Sequence, residues 1–270
     1  MLTIFTTPKA FTGHFAIIQR NAIRSWLKIC PECRIILFGN DPGTEDAAKD
    51  LGVNHVPEIA CNERGTPMVN SIFKTAQSDD KYELLAYVNA DIILMGDFID
   101  TICRIKREKF LAVGRRYDLD INFEFDFDDF EWESKLQSDI NGRGILHGNS
   151  GIDYFVFNRG LFKNIPAFAL GRTAWDNWLI YYTRRKHIPI IDITRSVTAV
   201  HQNHSFPSSF VRIEGTPWKG EEAKRNLELA GGVKHCYDLL DVTHVLDKKS
   251  LRLAWDYPHL RRRIRRLLNR

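Results

Sequence analysis

The hydrophobic pattern of this chain alternates between short apolar runs and longer stretches with helical spacing. Leu2–Thr6, Arg34–Phe38 and Leu84–Val88 are each rich in apolar residues, which is typical of strands buried on both faces. Residues 14–29 carry their apolar positions at helical spacing, and Thr44–Leu51 predicts a second helix. Strands that alternate with helices predict an α/β fold with a mostly parallel sheet flanked by helices.

The rest of the chain continues this order less regularly. Further strands are predicted over residues 153–157 and 188–193, and further helices over residues 66–76 and 175–186. Neither an internal repeat nor a low-complexity linker interrupts the sequence. We therefore expect one domain over residues 1–214, followed by a C-terminal helical extension over residues 215–270.

Composition excludes several classes of protein. Hydrophobic residues make up 44% of the 270 residues and charged residues 27%, which is ordinary for a globular protein and excludes a disordered chain. No apolar run approaches the roughly 20 residues that a transmembrane helix needs. The first residues lack the basic start and the cleavage site of a signal peptide, so we expect a cytoplasmic protein.

The five cysteines form an odd set without the spacing of a disulfide framework. Cys30 and Cys33 have the spacing of a redox pair or of half a zinc site, but the nearest further ligands, His201 and His204, lie far along the chain. We expect two reduced cysteines in a turn between a helix and a strand. A zinc site and a redox dithiol are the alternatives.

The acid that follows Leu84–Val88 is the first candidate functional residue. Asp91 ends the tripeptide Asn89-Ala90-Asp91 directly after that predicted strand, and in open α/β sheets ligands bind outside the carboxyl ends of the strands. A carboxylate there can hold a divalent cation, and the cation can bind a nucleotide diphosphate and stabilise it as a leaving group. The alternative is that Asp91 only caps the turn that follows it.

The order of these elements and motifs resembles the GT-A fold of nucleotide-sugar-dependent glycosyltransferases, distantly of the family-2 type, over residues 1–204. The motifs that carry the resemblance are Phe38-Gly39-Asn40-Asp41, Gly65-Thr66-Pro67-Met68-Val69-Asn70, Asn89-Ala90-Asp91, and Trp175-Asp176-Asn177-Trp178-Leu179 followed by Arg184. The resemblance implies a glycosyltransferase that moves a sugar from a nucleotide-diphosphate donor to a hydroxyl acceptor. It also implies that the acceptor is a glycan or glycolipid of bacterial surface type and that the anomeric carbon is inverted.

The resemblance implies that the residues that bind the nucleotide-sugar donor lie at the ends of strands and at a helix start. Asp41 would contact the nucleoside, and Thr6, Asn70, Asn89 and Asp91 would complete the donor site. Asn89 stands where the family has the first aspartate of an Asp-x-Asp motif, and a neutral amide oxygen is a weaker cation ligand than a carboxylate. The implied cofactor is Mn²⁺ or Mg²⁺, held by Asp91.

Two further roles follow from the same resemblance. Asp176 would be the catalytic base, with its two tryptophan neighbours desolvating it and raising its pKa; the alternative is that Asp176 or Asn177 caps the helix. His201 or His204 would complete the metal or diphosphate site, since neutral imidazole ligates Mn²⁺. His147, in a glycine-rich segment, would lie on the acceptor side.

Positive charge is concentrated at the C-terminal end of the chain. The net charge is +4, and six of the last ten residues are arginine. Apolar residues recur among these arginines at helical spacing, which predicts a basic amphipathic helix. Because anionic lipid attracts such a helix, residues 260–270 predict peripheral contact with the inner face of an anionic membrane; a solvated helix or a linker is the alternative. No aromatic residues interleave with the arginines, so no nucleic acid is expected.

Two other functions stay open on the sequence alone. A sugar-phosphate nucleotidyltransferase also uses a nucleotide-binding α/β sheet, but residues 6–13 match its glycine-rich basic loop poorly. The second is a non-catalytic module that binds nucleic acid or a membrane through its arginine tail.

Overall fold

The computed structural model describes residues 2–78, 80–204 and 219–268. The helices are α1 (Gly13–Ile29), α2 (Thr44–Leu51), α3 (Val69–Ser78), α4 (Asp97–Arg104), α5 (Trp132–Arg143), α6 (Trp175–Arg185), α7 (Glu221–Ala230) and α8 (Tyr257–Leu268). The strands are β1 (Leu2–Thr6), β2 (Arg34–Phe38), β3 (Asn54–Val56), β4 (Leu84–Val88), β5 (Ile92–Leu94), β6 (Leu111–Val113), β7 (Tyr117–Leu119), β8 (Ile145–Leu146), β9 (Tyr154–Asn158), β10 (Ile190–Asp192), β11 (Ala199–Gln202), β12 (His244–Leu246) and β13 (Leu251–Leu253). Two short 3₁₀ helices, Val233–His235 and Leu239–Asp241, lie between α7 and β12.

A central sheet of nine strands organises the described residues, in the order β13-β12-β10-β6-β9-β4-β1-β2-β3. Five of its neighbouring pairs are parallel, while β9 runs antiparallel between β6 and β4. A second sheet has the order β5-β11-β7-β8. The prediction of an α/β fold with a mostly parallel, helix-flanked sheet is therefore confirmed.

Alternate residues of the central strands face opposite layers of the molecule. Phe5 and Tyr87 belong to one core cluster, in which the ring of Tyr87 packs edge-on against Trp175 with centroids 5.3 Å apart. Ile4 belongs to the cluster on the other face, together with Trp26 of α1. Burial on both faces explains why β1 and β4 are unbroken apolar runs in the sequence.

The segment before α3 is extended, although the sequence predicted that a helix would begin there. Pro67 and Met68 form isolated β-bridges to Cys61 and Ala169. The backbone N–H of Met68 donates to the carbonyl of Ala60 at 2.9 Å. These pairings hold the segment out of helical geometry, so the helix begins at Val69.

The described residues after 219 contribute strands as well as helices. β12 pairs in parallel with β10, and β13 pairs antiparallel with β12, so both extend the central sheet. Each has only three residues, which is too short for a periodic pattern to predict. The predicted domain boundary between residues 214 and 215 lies outside the described residues. Among the described helices, none combines the length and the apolar composition that crossing a membrane requires.

A disulfide joins Cys30 and Cys33 at the end of α1, so the expectation of two reduced cysteines is wrong. The turn between α1 and β2 is closed by a hydrogen bond from the N–H of Cys33 to the carbonyl of Cys30. This turn brings the two Cα atoms to 5.3 Å, a separation that a disulfide spans. The other three cysteines, Cys61, Cys103 and Cys236, form no disulfide.

Candidate active site

A cavity of about 340 Å³ opens beside the carboxyl ends of β1, β2 and β4. Its polar lining residues come from the loops after these strands, from α1, from the segment between β3 and α3, and from the segment before α6: Thr7, Lys9, Gln19, Asp41, Arg64, Thr66, Asn89, Asp91 and Arg172. Tyr87 and Trp175 supply an aromatic wall. We call this space the donor cavity, since it lies at the edge of the sheet where α/β folds bind their ligands.

Three side chains converge at one side of the donor cavity: Asp91, His201 and His204. Nε2 of His204 lies 3.0 Å from Oδ2 of Asp91, and Nε2 of His201 lies 3.6 Å from the same oxygen. The candidate ligand atoms of the three residues all lie within 4.8 Å of one another. Strand pairing causes this convergence, because β11 runs antiparallel to β5 with His201 opposite Ile92, so that the end of β11 meets the turn that carries Asp91.

The charge states of this cluster suit a cation. Burial tends to raise the pKa of Asp91, but the hydrogen bond to His204 and the neighbouring positive charges lower it to about 2. Burial lowers the pKa of His201, which keeps the imidazole neutral and able to act as a ligand. Oδ1 of Asp91 is buried and accepts no hydrogen bond within the described part of the chain. These residues fit a divalent cation, and two imidazoles beside one carboxylate suit a transition ion such as Mn²⁺ better than Mg²⁺.

A second layer of charged groups lies behind His201, although Nδ1 of His201 makes no hydrogen bond to any described residue. Oδ1 of Asp118 lies 3.3 Å from Nδ1 of His201 and accepts a hydrogen bond of 2.9 Å from Nε of Arg116. Oδ2 of Asp118 lies 2.6 Å from Nδ1 of His147. A carboxylate that accepts a hydrogen bond from a ligating histidine fixes the tautomer and orientation of its ring, and Asp118 lies near enough to His201 to take that role after a small movement of the ring. The sequence offered no signal for Asp118, because it reaches His201 only through the pairing of β7 with β11.

Asn89 supports the cluster differently from the aspartate that the resemblance leads one to expect. Its side-chain amide donates to Oδ1 of Asp153 at 2.6 Å, and its backbone N–H donates to the carbonyl of the same residue. Asp153 also pairs with Arg116. An aspartate at position 89 would set two carboxylates against each other. An asparagine can donate this hydrogen bond to Asp153, which an ionised aspartate could not. Asp91 is therefore the single carboxylate of the tripeptide.

Three basic side chains, Lys9, Arg64 and Arg172, line the same cavity, and the sequence analysis identified none of them as a site residue. The backbone of Lys9 is held by Gln19 of α1 through hydrogen bonds of 2.6 and 2.9 Å. The pKa of Lys9 is lowered, chiefly by burial, although Asp91 raises it. Arg172 is 4% exposed and forms an ion pair of 2.7 Å with Glu222 of α7. Isolated basic residues in loops have no sequence pattern, and their meaning comes only from the fold that brings them to Asp91.

Asp176 lies in the first turn of α6, directly after the cavity residue Trp175. Ala174 precedes the helix with φ of 81°, a left-handed conformation that costs roughly 1–2 kcal/mol outside glycine. Burial raises the pKa of Asp176 to about 6, although backbone N–H groups and Arg116 oppose the rise. Its Oδ1 is buried and makes no hydrogen bond to any described residue. Such a carboxylate can accept a proton near neutral pH.

The other residues expected to bind the donor differ in burial and in whether they line the donor cavity. Asp41 is exposed and lines the rim of the donor cavity. Thr6 is fully buried in β1, and its neighbour Thr7 lines the cavity instead, because successive side chains of a strand point to opposite faces. Asn70, the second residue of α3, is outside the cavity lining, and its buried Oδ1 has no hydrogen-bond partner among the described residues.

Comparison with known proteins identifies the fold. No protein-family model and no curated protein matches the sequence. Residues 1–349 of S. aureus TarS, in complex with UDP-GlcNAc, align with a TM-score of 0.52 and 11% identity, over 77% of this chain and 60% of that one. Glucosyl-3-phosphoglycerate synthase from Mycobacterium tuberculosis, with Mn²⁺, UDP and glucosyl-3-phosphoglycerate, gives 0.49 and 14%, over 87% and 80%. A putative nucleotide-diphospho-sugar transferase from Desulfovibrio desulfuricans gives 0.46 and 11%, over 84% and 96%.

The chain thus has the GT-A fold that its sequence motifs resembled. It spans 60% of the length of the TarS fragment. A fold of this kind hosts many activities, so the reaction has to be inferred from the chemistry of the site.

Proposed function

We propose that the protein is a glycosyltransferase that moves a sugar from a nucleotide-diphosphate donor to a hydroxyl acceptor. The observation that carries the proposal is that Asp91, on which His201 and His204 converge, lines one cavity together with Lys9 and Arg172. A cation site and two basic side chains together match the charge of a diphosphate leaving group.

The donor diphosphate binds between these groups. Asp91, with His201 and His204, would hold Mn²⁺ or Mg²⁺, which supplies positive charge as the nucleotide departs. Lys9 and Arg172 bind diphosphate oxygens, and the planar guanidinium of Arg172 suits two oxygens at once. The protein residues thereby stabilise the charge that develops on the leaving group.

The nucleoside and the acceptor occupy opposite ends of the site. Asp41, at the rim of the donor cavity, contacts the nucleoside, and Asn89 lines the cavity beside the metal cluster. Asp176 takes the proton from the acceptor hydroxyl as it attacks the anomeric carbon. A single displacement of this kind inverts that carbon.

Thermal unfolding with a panel of nucleotide sugars, each with and without Mn²⁺, tests the proposal. A ligand that binds the folded state raises the unfolding midpoint by mass action. We expect one nucleotide sugar to stabilise the protein more with Mn²⁺ than without it, and turnover to release a nucleoside diphosphate. Release of pyrophosphate from a nucleoside triphosphate would identify a nucleotidyltransferase instead. A panel without any shift would contradict the proposal.

We further propose that the acceptor is a surface glycan or glycolipid and that the protein meets it at the cytoplasmic face of a membrane. The arginine face of α8 packs on the protein, where Arg262 pairs with Asp238 and Arg266 pairs with Asp241. The opposite face carries four exposed apolar residues, which we call the α8 stripe: Leu260, Ile264, Leu267 and Leu268. An apolar stripe of this kind, on a helix rich in arginine, suits the interface of an anionic bilayer.

A further inference from the structure

A second cavity, of about 650 Å³, lies between α6 and the arginine face of α8. We call it the arginine cleft. It is lined by Tyr181 and Arg185 of α6, by residues 233–237, and by Arg262, Arg265 and Arg266 of α8. The donor cavity uses none of these residues.

Positive charge dominates the arginine cleft, since the described residues that line it include five basic side chains and no acidic one. Two of the arginines are fixed from behind. Arg262 pairs with Asp238. Two nitrogens of the Arg266 guanidinium, Nε and Nη2, donate to the two carboxylate oxygens of Asp241 at 3.0–3.1 Å. The guanidinium of Arg266 also lies 4.0 Å from the ring centroid of Tyr237. These contacts hold the two arginines in the cleft wall before any ligand arrives.

The other three basic side chains of the cleft are available to a ligand. Arg185, Lys234 and Arg265 form no ion pair with any residue that the structure describes. An adjoining cavity of about 430 Å³ shares Arg185, Tyr237 and Arg266 with the cleft and adds Arg184 and Arg263, together with Asp241, the partner of Arg266. The pKa of Arg263 is lowered by burial and by the charge of Arg184. Like charges crowded in this way are stabilised when an anion binds between them.

The cleft wall is rigid. The rings of Tyr181 and His235 stack with centroids 4.1 Å apart. Nδ1 of His235 lies 2.7 Å from the carbonyl oxygen of Ala230, so this nitrogen carries the proton and the ring cannot turn freely. A rigid wall lowers the entropy cost of binding a ligand.

The arginine cleft contacts the first turn of α6, which carries the candidate base. The side chain of Asn177 donates to the carbonyl of Tyr237 at 2.8 Å, and the N–H of Tyr237 donates back to the carbonyl of Asn177 at 3.2 Å. Burial raises the pKa of the thiol of Cys236, a lining residue, and the charge of Asp176, which precedes Asn177, adds to that rise. Along the axis of α6, Arg185 lies roughly 13 Å beyond Asp176 at 1.5 Å per residue, and at 3.6 residues per turn the two lie on opposite faces of the helix.

We propose that the arginine cleft binds a phosphate or diphosphate group carried by the acceptor. This proposal rests on the proposed transferase function, because it places the hydroxyl and the phosphate of one acceptor molecule at two different parts of the protein. In this assignment the reacting hydroxyl lies at Asp176 and the anionic group lies between Arg185, Lys234 and Arg265 on the opposite face of α6, so the acceptor reaches around that helix. Guanidinium groups recognise phosphate oxygens through paired, charge-assisted hydrogen bonds.

Titration calorimetry with inorganic pyrophosphate, in EDTA and at constant ionic strength, tests this site. The cleft variant combines Arg185→Gln with Lys234→Gln, neither of which belongs to α8. The matched control combines Arg225→Gln with Lys224→Gln, two exposed side chains of α7 outside the cleft. We expect one binding event to weaken at least about tenfold in the cleft variant, the loss that one charge-assisted hydrogen bond produces. The control should bind like the wild type.

Vesicles distinguish the two sources of the phosphate group. One set contains phosphatidylcholine with a long-chain polyprenyl phosphate, and the other contains phosphatidylcholine with phosphatidylserine at equal surface charge. Loss of binding by the cleft variant to the first set alone supports a lipid-linked acceptor. If the variant loses pyrophosphate but binds both vesicle sets like the wild type, the supported acceptor is a soluble phosphate ester.

Equal pyrophosphate affinity in all three proteins would overturn the cleft assignment. So would displacement of pyrophosphate by a short RNA at much lower concentration than by polyprenyl phosphate. The nucleotide-sugar panel is run on the same three proteins, so that the two proposals fail separately. A missing donor shift in every protein rejects the transferase function, whereas a normal donor shift with equal pyrophosphate affinity rejects only the cleft.

Discussion

Asp91 and Asp176 are both carboxylates in confined surroundings, yet their pKa values lie on opposite sides of the ordinary aspartate value. Asp91 has His204 and His201 beside it, and its pKa falls to about 2 in spite of burial. Asp176 has mainly backbone N–H groups to oppose burial, and its pKa rises to about 6. Two carboxylates whose environments separate them in this way suit different tasks. The first suits a permanent anion that holds a cation, and the second a base.

Replacing Asp176 with asparagine separates these tasks. The amide keeps the shape and the hydrogen bonds to the helix start but cannot take a proton. We expect turnover to fall by about 10²–10⁴-fold, the usual contribution of general-base catalysis, with little change in donor affinity. Steady-state kinetics and donor titration measure the two quantities. Undiminished turnover would leave Asp176 with a structural role only.

The raised pKa of Asp176 also predicts opposite pH trends in activity and stability. Turnover should rise with pH through about 6 as Asp176 loses its proton, and this limb should vanish in Asp176→Asn. Because the folded pKa exceeds the ordinary value of 3.8, the folded state binds this proton more tightly than the unfolded state does. The contribution of Asp176 to the free energy of unfolding therefore falls as pH rises from 3.8 to about 6. Denaturant titrations of both proteins across this range measure the difference, and parallel curves would contradict it.

At the scale of elements, α7 lies late in the chain, yet its Glu222 holds Arg172 of the donor cavity in place. Glu222 is 6% exposed, pairs with Arg172, and accepts a hydrogen bond from Asn62. Burial raises the pKa of Glu222, but its hydrogen bonds and the charge of Arg172 outweigh that effect and lower it. The carboxylate is thus ionised at neutral pH and fixes the cavity arginine.

Two neighbouring variants on α7 test this support. Glu222→Gln leaves a buried guanidinium without its anion, so the free energy of unfolding should fall by about 3–5 kcal/mol and donor affinity should weaken. Glu221→Gln removes a carboxylate whose side chain is 82% exposed and pairs with Arg64. That loss should stay below about 1 kcal/mol. Denaturant unfolding and donor titration compare the two, and equal effects would remove the positioning role of Glu222.

The α8 stripe calls for point substitutions, because removing the arginine tail would also strip Asp241 of its partners. Asp241 is 4% exposed and pairs with both Arg262 and Arg266. Ile264→Ser with Leu268→Ser instead changes only side chains that are 58% and 81% exposed. We expect weaker binding to phosphatidylserine vesicles and unchanged transfer to a soluble acceptor. Vesicle sedimentation that does not distinguish the variant from the wild type would argue for an inert surface helix.

At the scale of the whole molecule, features that depend on neighbouring residues were predictable and features that depend on distant contacts were not. β4 and the acid after it form one local pattern, five apolar residues followed by Asp91, and both the strand and the turn occur as expected. The GT-A motifs indicated His201 and His204 singly, but only the β5–β11 pairing brings them to one carboxylate.

Long-range pairing also explains what the sequence analysis missed. Arg172 acquires its orientation from Glu222, and Asp118 reaches His201 across two strands. The two three-residue strands that extend the central sheet also depend on tertiary contacts, which periodicity does not encode. The disulfide of Cys30 with Cys33 is local; the spacing of the two cysteines allowed a redox pair but did not decide between the reduced and the oxidised form.

The most direct test of the central claim is the Mn²⁺ dependence of donor binding in the wild type and in Asp91→Asn. The measured quantity is the thermal midpoint with the best nucleotide sugar of the panel, with and without Mn²⁺; Asp46→Asn, at an exposed site on α2, is the control. We predict a Mn²⁺-dependent rise in the wild type and in Asp46→Asn that disappears in Asp91→Asn, although all three fold. A rise of the same size in Asp91→Asn would contradict the account, because it would mean that the cation on the donor is not held by Asp91.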